Sequence, residues 1–173
     1  DKSEILVGDD VSFDQTAQIL RQFPSPRVRL LQHDDNRGYG AALRTGFADA
    51  HGRLVAFTDA DCQFYLDDLR SLLPLLDNHH IAVGYRVDRQ DSWLRKFYSR
   101  GFNILSRSLL GTQVRDIDCA FKVFRRDALQ RVLPETNGFF LNTEMLTKAR
   151  QQHMRIAEVG VRHRPRIRGK SKV

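Results

Sequence analysis

Cysteine is scarce in this chain: Cys62 and Cys119 are the only two in 173 residues. Two thiols so far apart in sequence support neither a disulfide framework nor a zinc site, so reduced thiols in a cytosolic setting are expected. Long apolar runs are lacking too. Nothing approaches the roughly 20 consecutive apolar residues of a bilayer-spanning helix, so the chain is not expected to cross a membrane by itself. No signal peptide is visible, and the chain opens on Asp1 instead of Met, which predicts a fragment of something longer. There is no internal repeat and no low-complexity linker. What remains is an ordinary globular composition, 41% hydrophobic and 28% charged, of a length that suits one domain over 1–173. Acid is in the minority: 28 Lys and Arg against 21 Asp and Glu leave a net charge of +7. That surplus points to an anionic partner (phosphates, nucleic acid or an acidic lipid surface) without choosing among them.

The apolar residues that are present fall into short runs. Glu4 to Gly8, Val28 to Leu31, Leu54 to Thr58 and Ile81 to Tyr85 read as strands. Between them lie helical patterns. One carries Ala17, Ile19 and Leu20. Another opens at Asn36-Arg37-Gly38-Tyr39-Gly40, and a third repeats Leu66, Leu69, Leu72, Leu73 and Leu76. Strands alternating with helices at this rhythm predict an α/β fold, a mostly parallel sheet with helices on both faces. Further on, a long helix is expected over 92–110, a strand over 120–124, a helix over 142–152 and a last strand over 155–161.

The third strand runs directly into Asp59-Ala60-Asp61-Cys62-Gln63. On an extended chain, residues two apart share a face, so Asp59, Asp61 and Gln63 are expected to point together and Cys62 away, into packing. Paired carboxylates repel unless a cation sits between them, which makes a divalent metal site the economical reading. Strand ends of this kind are where open α/β sheets bind ligands. Asp-x-Asp also serves as an ordinary turn or helix cap, and spacing alone does not separate the two. The tail over 162–173 places Arg162, Arg164, Arg166, Arg168, Lys170 and Lys172 at every second position, so an extended tail would turn six cations to one side. From charge alone, that tail reads equally as a solvated or nucleic-acid-binding segment.

Six segments in order resemble the family 2 inverting glycosyltransferases of GT-A fold, nearest to dolichyl-phosphate mannose synthases and bacterial polyprenyl-phosphate glycosyltransferases. They are Glu4 to Asp14, Asn36 to Ala42, Asp59 to Gln63, Gly84-Tyr85-Arg86, Arg95 with Ser99, and Arg166 to Lys172. The resemblance implies that Val7 and Asp9 hold the base and ribose of a nucleotide-sugar donor. Asp59, Asp61 and Gln63 would bind Mg²⁺ or Mn²⁺, with Ala60 against the donor. Arg86, Arg166 and Lys172 would contact its diphosphate, and Arg95 and Ser99 the phosphate of a polyprenyl acceptor. Asp61, Arg86 and Arg95 are then the catalytic candidates, and Glu144 resembles an acidic position near the sugar pocket. With a lipid acceptor, Arg95, Lys96, Arg100 and Arg107 could attract anionic headgroups, placing the protein at, or tethered to, the cytoplasmic face of a membrane. Nucleic acid is not an expected partner.

Departures from that pattern are visible. The family's first strand and its base-gripping loop are absent, Val11 and Ala120 stand where Gly is usual, and membrane helices that often follow are missing. A sugar hydroxyl as acceptor would need a carboxylate base, for which Asp116, Asp118 and Glu144 are candidates. His33, His51, His79, His80, His153 and His163 fall in loops or at helix ends and read as surface or structural groups. A basic nucleic-acid-binding module and an inactive scaffold are the readings from other classes.

Overall fold

The protein is described by a computed structural model over residues 3–87, 114–138 and 140–165. The helix expected over 92–110, with Arg95, Lys96, Ser99, Arg100 and Arg107, lies outside those residues, as do Arg166 and Lys172.

The expected alternation is present. Strand β1 (Ile5–Asp9), helix α1 (Thr16–Arg21), β2 (Val28–Gln32), α2 (Tyr39–Asp49) and β3 (Leu54–Phe57) follow one another. The leucine repeat then folds as a 3₁₀ turn over Leu66–Asp68, a single α-turn α3 (Leu69–Leu72) and a second 3₁₀ stretch over Leu73–Asp77, where Pro74 occupies one of the first positions. Strands β4 (Ile81–Arg86) and β5 (Lys122–Arg125), helices α4 (Arg126–Arg131) and α5 (Leu141–Gln151) and strand β6 (Ile156–Val161) complete the described elements. Helix α4 has no counterpart in the sequence reading, because its six residues bury only Ala128 and Leu129 and show no repeat.

The strands form a parallel pair, β1 with β2, and a four-stranded sheet ordered β3-β5-β4-β6. In the larger sheet β4 and β6 are parallel, while β5 runs antiparallel to both β3 and β4. The α/β architecture is as expected. The direction of β5 is a refinement that an apolar run cannot encode, since inward and outward residues alternate identically either way. Among the described residues β1 and β3 each pair on one side only.

Helix α2 ties the two sheets together. Its Tyr39 and Leu43 pack against the main core, and its Ala42 carbonyl lies where a Cβ on Gly8 of β1 would come within 3.3 Å. Arg29 on β2 pairs with Asp49 at the helix end and with Glu4 at 3.1 Å. The core itself lies on both faces of β4 and β5. Phe47 of α2 meets Phe57 of β3 edge-on at 5.5 Å, and Phe57 stacks on Phe124 of β5. Burying each such ring contributes about 1.5–3 kcal/mol.

Candidate functional site

The site is built at the ends of β1, β3 and β4, where each strand gives way to a polar turn. At the end of β1, Asp9 is 3% exposed. Its Oδ1 accepts the Ser12 amide at 3.0 Å and the Ser12 hydroxyl, while its Oδ2 is buried with no hydrogen-bond partner among the described residues. A buried carboxylate oxygen without a donor costs about 1–3 kcal/mol, more when charged, so it marks a place for a ligand N–H or O–H. Val11, two residues on, has φ +64. That is strained backbone for a β-branched residue and accounts for glycine being usual there.

The next carboxylate, Asp10, shapes the start of α2. It accepts the amides of Arg37 at 2.9 Å and Gly38 at 2.8 Å and contacts His33 Nδ1 at 2.8 Å. Desolvation opposes ionisation of Asp10, but these donors outweigh it and hold the carboxyl below its ordinary value. The other nitrogen of His33 meets Thr45 Oγ1 at 2.9 Å, so His33 is a structural bridge, as the sequence reading had it. The far side of the helix start is fixed as well. Arg44 donates to the carbonyls of Pro134 and Glu135 and to Asn137, and Gly40 donates its amide to Asn137. A side chain on Gly40 would strike the Thr136 carbonyl and the Asn137 backbone, at 2.8 Å from its carbonyl carbon.

Tyr39, on this anchored first turn, donates its hydroxyl to Asp59 Oδ1 at 2.7 Å. Burial is the first cause that raises the phenol above its ordinary pKa. The carboxylates of Asp59, Asp61 and Asp118 push the same way, which places all three within electrostatic reach of one ring. Sequence reasoning missed Tyr39, because nothing local relates it to a residue twenty positions away.

The Asp-x-Asp segment is a turn and not a continuation of β3. Asp61 Oδ1 accepts the Gln63 amide at 3.1 Å, and Cys62 has φ +59. Cys62 is therefore exposed instead of packed inward, because strand alternation stops at Phe57. Gln63 donates Nε2 to the Arg164 carbonyl at 3.1 Å, and Arg164 returns its amide to the Gln63 carbonyl at 3.0 Å. The start of the basic tail is thus laced to the Asp59–Gln63 turn. Arg162 and Arg164 each place a guanidinium 4.6 Å from the Tyr65 ring centre, while His163 between them meets Phe64 on the other side. This is the alternation expected of the tail, seen over its described residues.

Could these residues hold a divalent ion? The donor set is all oxygen, two carboxylates and an amide, which suits Mg²⁺ or Mn²⁺ over softer metals. Among the described residues no three His, Cys, Asp or Glu gather closely enough to cage an ion by themselves. Mg²⁺ is commonly held by one or two carboxylates with substrate phosphates supplying further oxygens, so two carboxylates fit that mode.

Arg86 and Asp116 face each other across the end of β4. Arg86 Nε and Nη2 each lie 2.7 Å from an Asp116 oxygen, with side chains 11% and 7% exposed. Behind them Lys122, 1% exposed, donates Nζ to the carbonyls of Ile117 and Cys119 and to Asn142 Oδ1. Desolvation lowers its pKa. Lys122 thereby fixes the 116–119 turn that carries Asp116 and Asp118.

Glu144 is engaged by its neighbours. Its carboxylate accepts the amides of Glu135 and Thr136 and the Thr136 hydroxyl, and pairs with Lys148 at 2.7 Å. Burial alone would raise its pKa, but these contacts bring it down to about 2. So strong an acid is a poor base near neutrality. Its folded pKa lies below the ordinary 4.5, so its stabilisation is complete above pH 4.5 and is lost as pH falls toward 2. The whole effect is about 3 kcal/mol at 1.36 kcal/mol per unit. Urea midpoints between pH 6 and pH 3 should fall more steeply for the wild type than for Glu144→Gln. Equal slopes would contradict this role.

The family profile described as "Glycosyl transferase family 2" matches residues 1–133. A dolichyl-phosphate beta-glucosyltransferase of Trichomonas vaginalis, ALG5C, is 32% identical over 174 residues, covering 91% of this chain and 52% of that protein. An undecaprenyl-phosphate 4-deoxy-4-formamido-L-arabinose transferase of Edwardsiella ictaluri is 33% identical, covering 98% and 52%. The chain therefore spans about half the length of the curated relatives it matches. Among solved structures, Mycobacterium tuberculosis glucosyl-3-phosphoglycerate synthase, in complex with Mn²⁺, UDP and glucosyl-3-phosphoglycerate, superimposes with a TM-score of 0.74. That likeness covers 97% of this chain and 62% of the other at 18% identity, and it bears on the fold, a GT-A glycosyltransferase fold.

Proposed function

Because this chain belongs to glycosyl transferase family 2, we propose that it moves a sugar from a nucleotide-sugar donor to the phosphate of a polyprenyl lipid, with inversion at the anomeric carbon. The observation that carries the site assignment is the turn Asp59–Gln63, held by Tyr39 from one side and by Arg164 from the other. The lipid acceptor is supported by the relatives, whose names specify dolichyl and undecaprenyl phosphates.

In this reading Val7 and the unpartnered Oδ2 of Asp9 receive the nucleoside, and Asp59, Asp61 and Gln63 hold Mg²⁺ or Mn²⁺, with Ala60 lying along the donor. An ion held by these residues would supply Lewis-acid stabilisation of the charge that grows on the leaving diphosphate. Arg86 adds positive charge on the same side, with Asp116 holding its fork in place. Arg166 and Lys172 are proposed to contact the diphosphate, and Arg95 and Ser99 the acceptor phosphate. A polyprenyl phosphate is already anionic near neutral pH, its second pKa being about 6, so it needs orientation and not deprotonation. The described residues fit that economy: Asp116 is tied to Arg86 and Glu144 is tied to its own loop. A hydroxyl acceptor would leave Asp118 to act as base. Among the described residues no helix is long and apolar enough to cross a membrane. Attachment at a cytoplasmic membrane surface is proposed through the acceptor lipid and anionic headgroups, on the strength of the relatives' lipid-phosphate acceptors.

Thermal denaturation with GDP-sugars and UDP-sugars, with and without Mn²⁺, tests the donor site. One nucleotide class at 100 times its Kd should stabilise by about 2.7 kcal/mol, or roughly 5–10 °C in a chain of this size, only when Mn²⁺ is present. A folded protein that shows no metal-dependent shift with either class would overturn the proposal.

A further inference from the structure

Tyr39 stands out because it reaches the Asp59–Gln63 turn from α2, and because the first turn of that helix is anchored so heavily. Asp10 takes two amides at the helix start, Gly40 and Arg44 lock the other side to residues 134–137, and Gly38 adopts φ +92 to let the chain enter. A phenol on such a base has little freedom of position. Its O–H is a donor at any pH well below 10, and it ends 2.7 Å from Asp59 Oδ1.

We infer that Tyr39 is a positioning residue for the donor's metal: its hydroxyl orients the Asp59 carboxylate and so sets the affinity of the Asp59–Gln63 turn for a divalent ion. The inference rests on the metal reading of that turn. The turn lies outside the β3 ladder, and the Asp61 carboxylate is engaged with the Gln63 amide. A hydrogen bond from a rigid neighbour removes rotamers that a coordinating carboxylate would otherwise have to give up on binding, which is how outer partners of metal ligands act. The same contact links the two ends of the donor pocket. Asp10, adjacent to the nucleoside carboxylate Asp9, grips the helix start that carries Tyr39, so the base end and the diphosphate end are set at one distance by one helix.

Tyr39→Phe removes the hydroxyl and keeps the ring packed, which makes it the informative variant. Mn²⁺ binding is measured on the protein without nucleotide, by electron paramagnetic resonance of the free ion, together with the melting temperature. Loss of an outer partner of a metal ligand typically weakens affinity about 10–100-fold, so the Mn²⁺ Kd should rise by that factor with the melting point nearly unchanged. Transfer activity should return toward wild type as Mn²⁺ is raised, which a merely structural role would not produce. An Asp61→Asn control, which keeps an acceptor for the Gln63 amide, separates the two roles. If Asp61→Asn loses Mn²⁺ while Tyr39→Phe binds it within twofold of wild type, the metal reading stands and the role of Tyr39 is overturned. If Asp61→Asn binds Mn²⁺ as well as wild type, or the wild type binds none even with UDP or GDP present, the metal reading fails and takes this inference with it.

Discussion

Asp61→Asn is expected to lower sugar transfer on the order of 10³-fold while leaving the fold intact. Two roles of Asp61 have to be separated to see why. Its Oδ1 accepts the Gln63 amide at 3.1 Å, which closes the turn, and its negative charge is half of the carboxylate pair. Alanine removes both, so a dead Asp61→Ala protein would say only that something at the turn matters. Asparagine keeps a carbonyl oxygen for the Gln63 amide and removes the charge alone. With one carboxylate gone, the turn loses a negative ligand for a divalent ion that is worth several kcal/mol of transition-state stabilisation, and each 1.36 kcal/mol is about tenfold in rate. Turnover is to be measured at saturating donor over a Mn²⁺ series, with the melting temperature alongside. Asparagine and alanine should be similarly inactive, and only alanine should shift the melting point. If the asparagine variant kept more than a tenth of wild-type turnover at ordinary Mn²⁺, the carboxylate pair would not be the metal site.

That turn also shows where sequence reading succeeds and stops. Leu54 to Thr58 announces a strand, and β3 is there. The carboxylate pair is legible as a pair. Its conformation is not, because the expectation of a continued strand assumed that alternation persists beyond Phe57, and Cys62 at φ +59 ends it. Val11 is the instructive counterpart. Its substitution for a usual glycine is visible in the sequence, and the strained φ at that point supplies the physical reason. Val11 and Cys62, two of the three described non-glycine residues at positive φ, lie on the turns that follow β1 and β3. What stayed invisible shares one property. Tyr39 with Asp59, Asp10 with His33 and the start of α2, and Arg44 with the 134–137 loop are contacts between segments twenty to ninety positions apart. Only the packing of α2 between the two sheets brings them together. Glu144 differs, since its partners are near in sequence: Glu135 and Thr136 lie nine and eight positions before it, and the fold of that short loop brings their amides to its carboxylate.

The largest loss of stability is expected from Asp116→Ala. The Arg86 guanidinium is 11% exposed and receives Asp116 through two contacts of 2.7 Å, and the Arg86 amide donates to the same carboxylate at 3.3 Å. Removing the acid takes the bidentate carboxylate from a largely enclosed cation, a change that typically costs about 3–5 kcal/mol, most of it the penalty on the remaining charge. For a chain of this size that is roughly 6–20 °C in melting temperature. The penalty belongs to the stranded charge, so removing the charge as well should relieve it: Arg86→Met combined with Asp116→Leu is expected to melt closer to wild type than Asp116→Ala does. Function should divide the other way. The stable double variant lacks the guanidinium proposed to face the diphosphate and should transfer about 10²-fold more slowly. A double variant that is both stable and fully active would show Arg86 to be architecture alone. An Asp116→Ala protein melting within 3 °C of wild type would mean that solvent reaches the guanidinium, and that the pair does not set the end of β4.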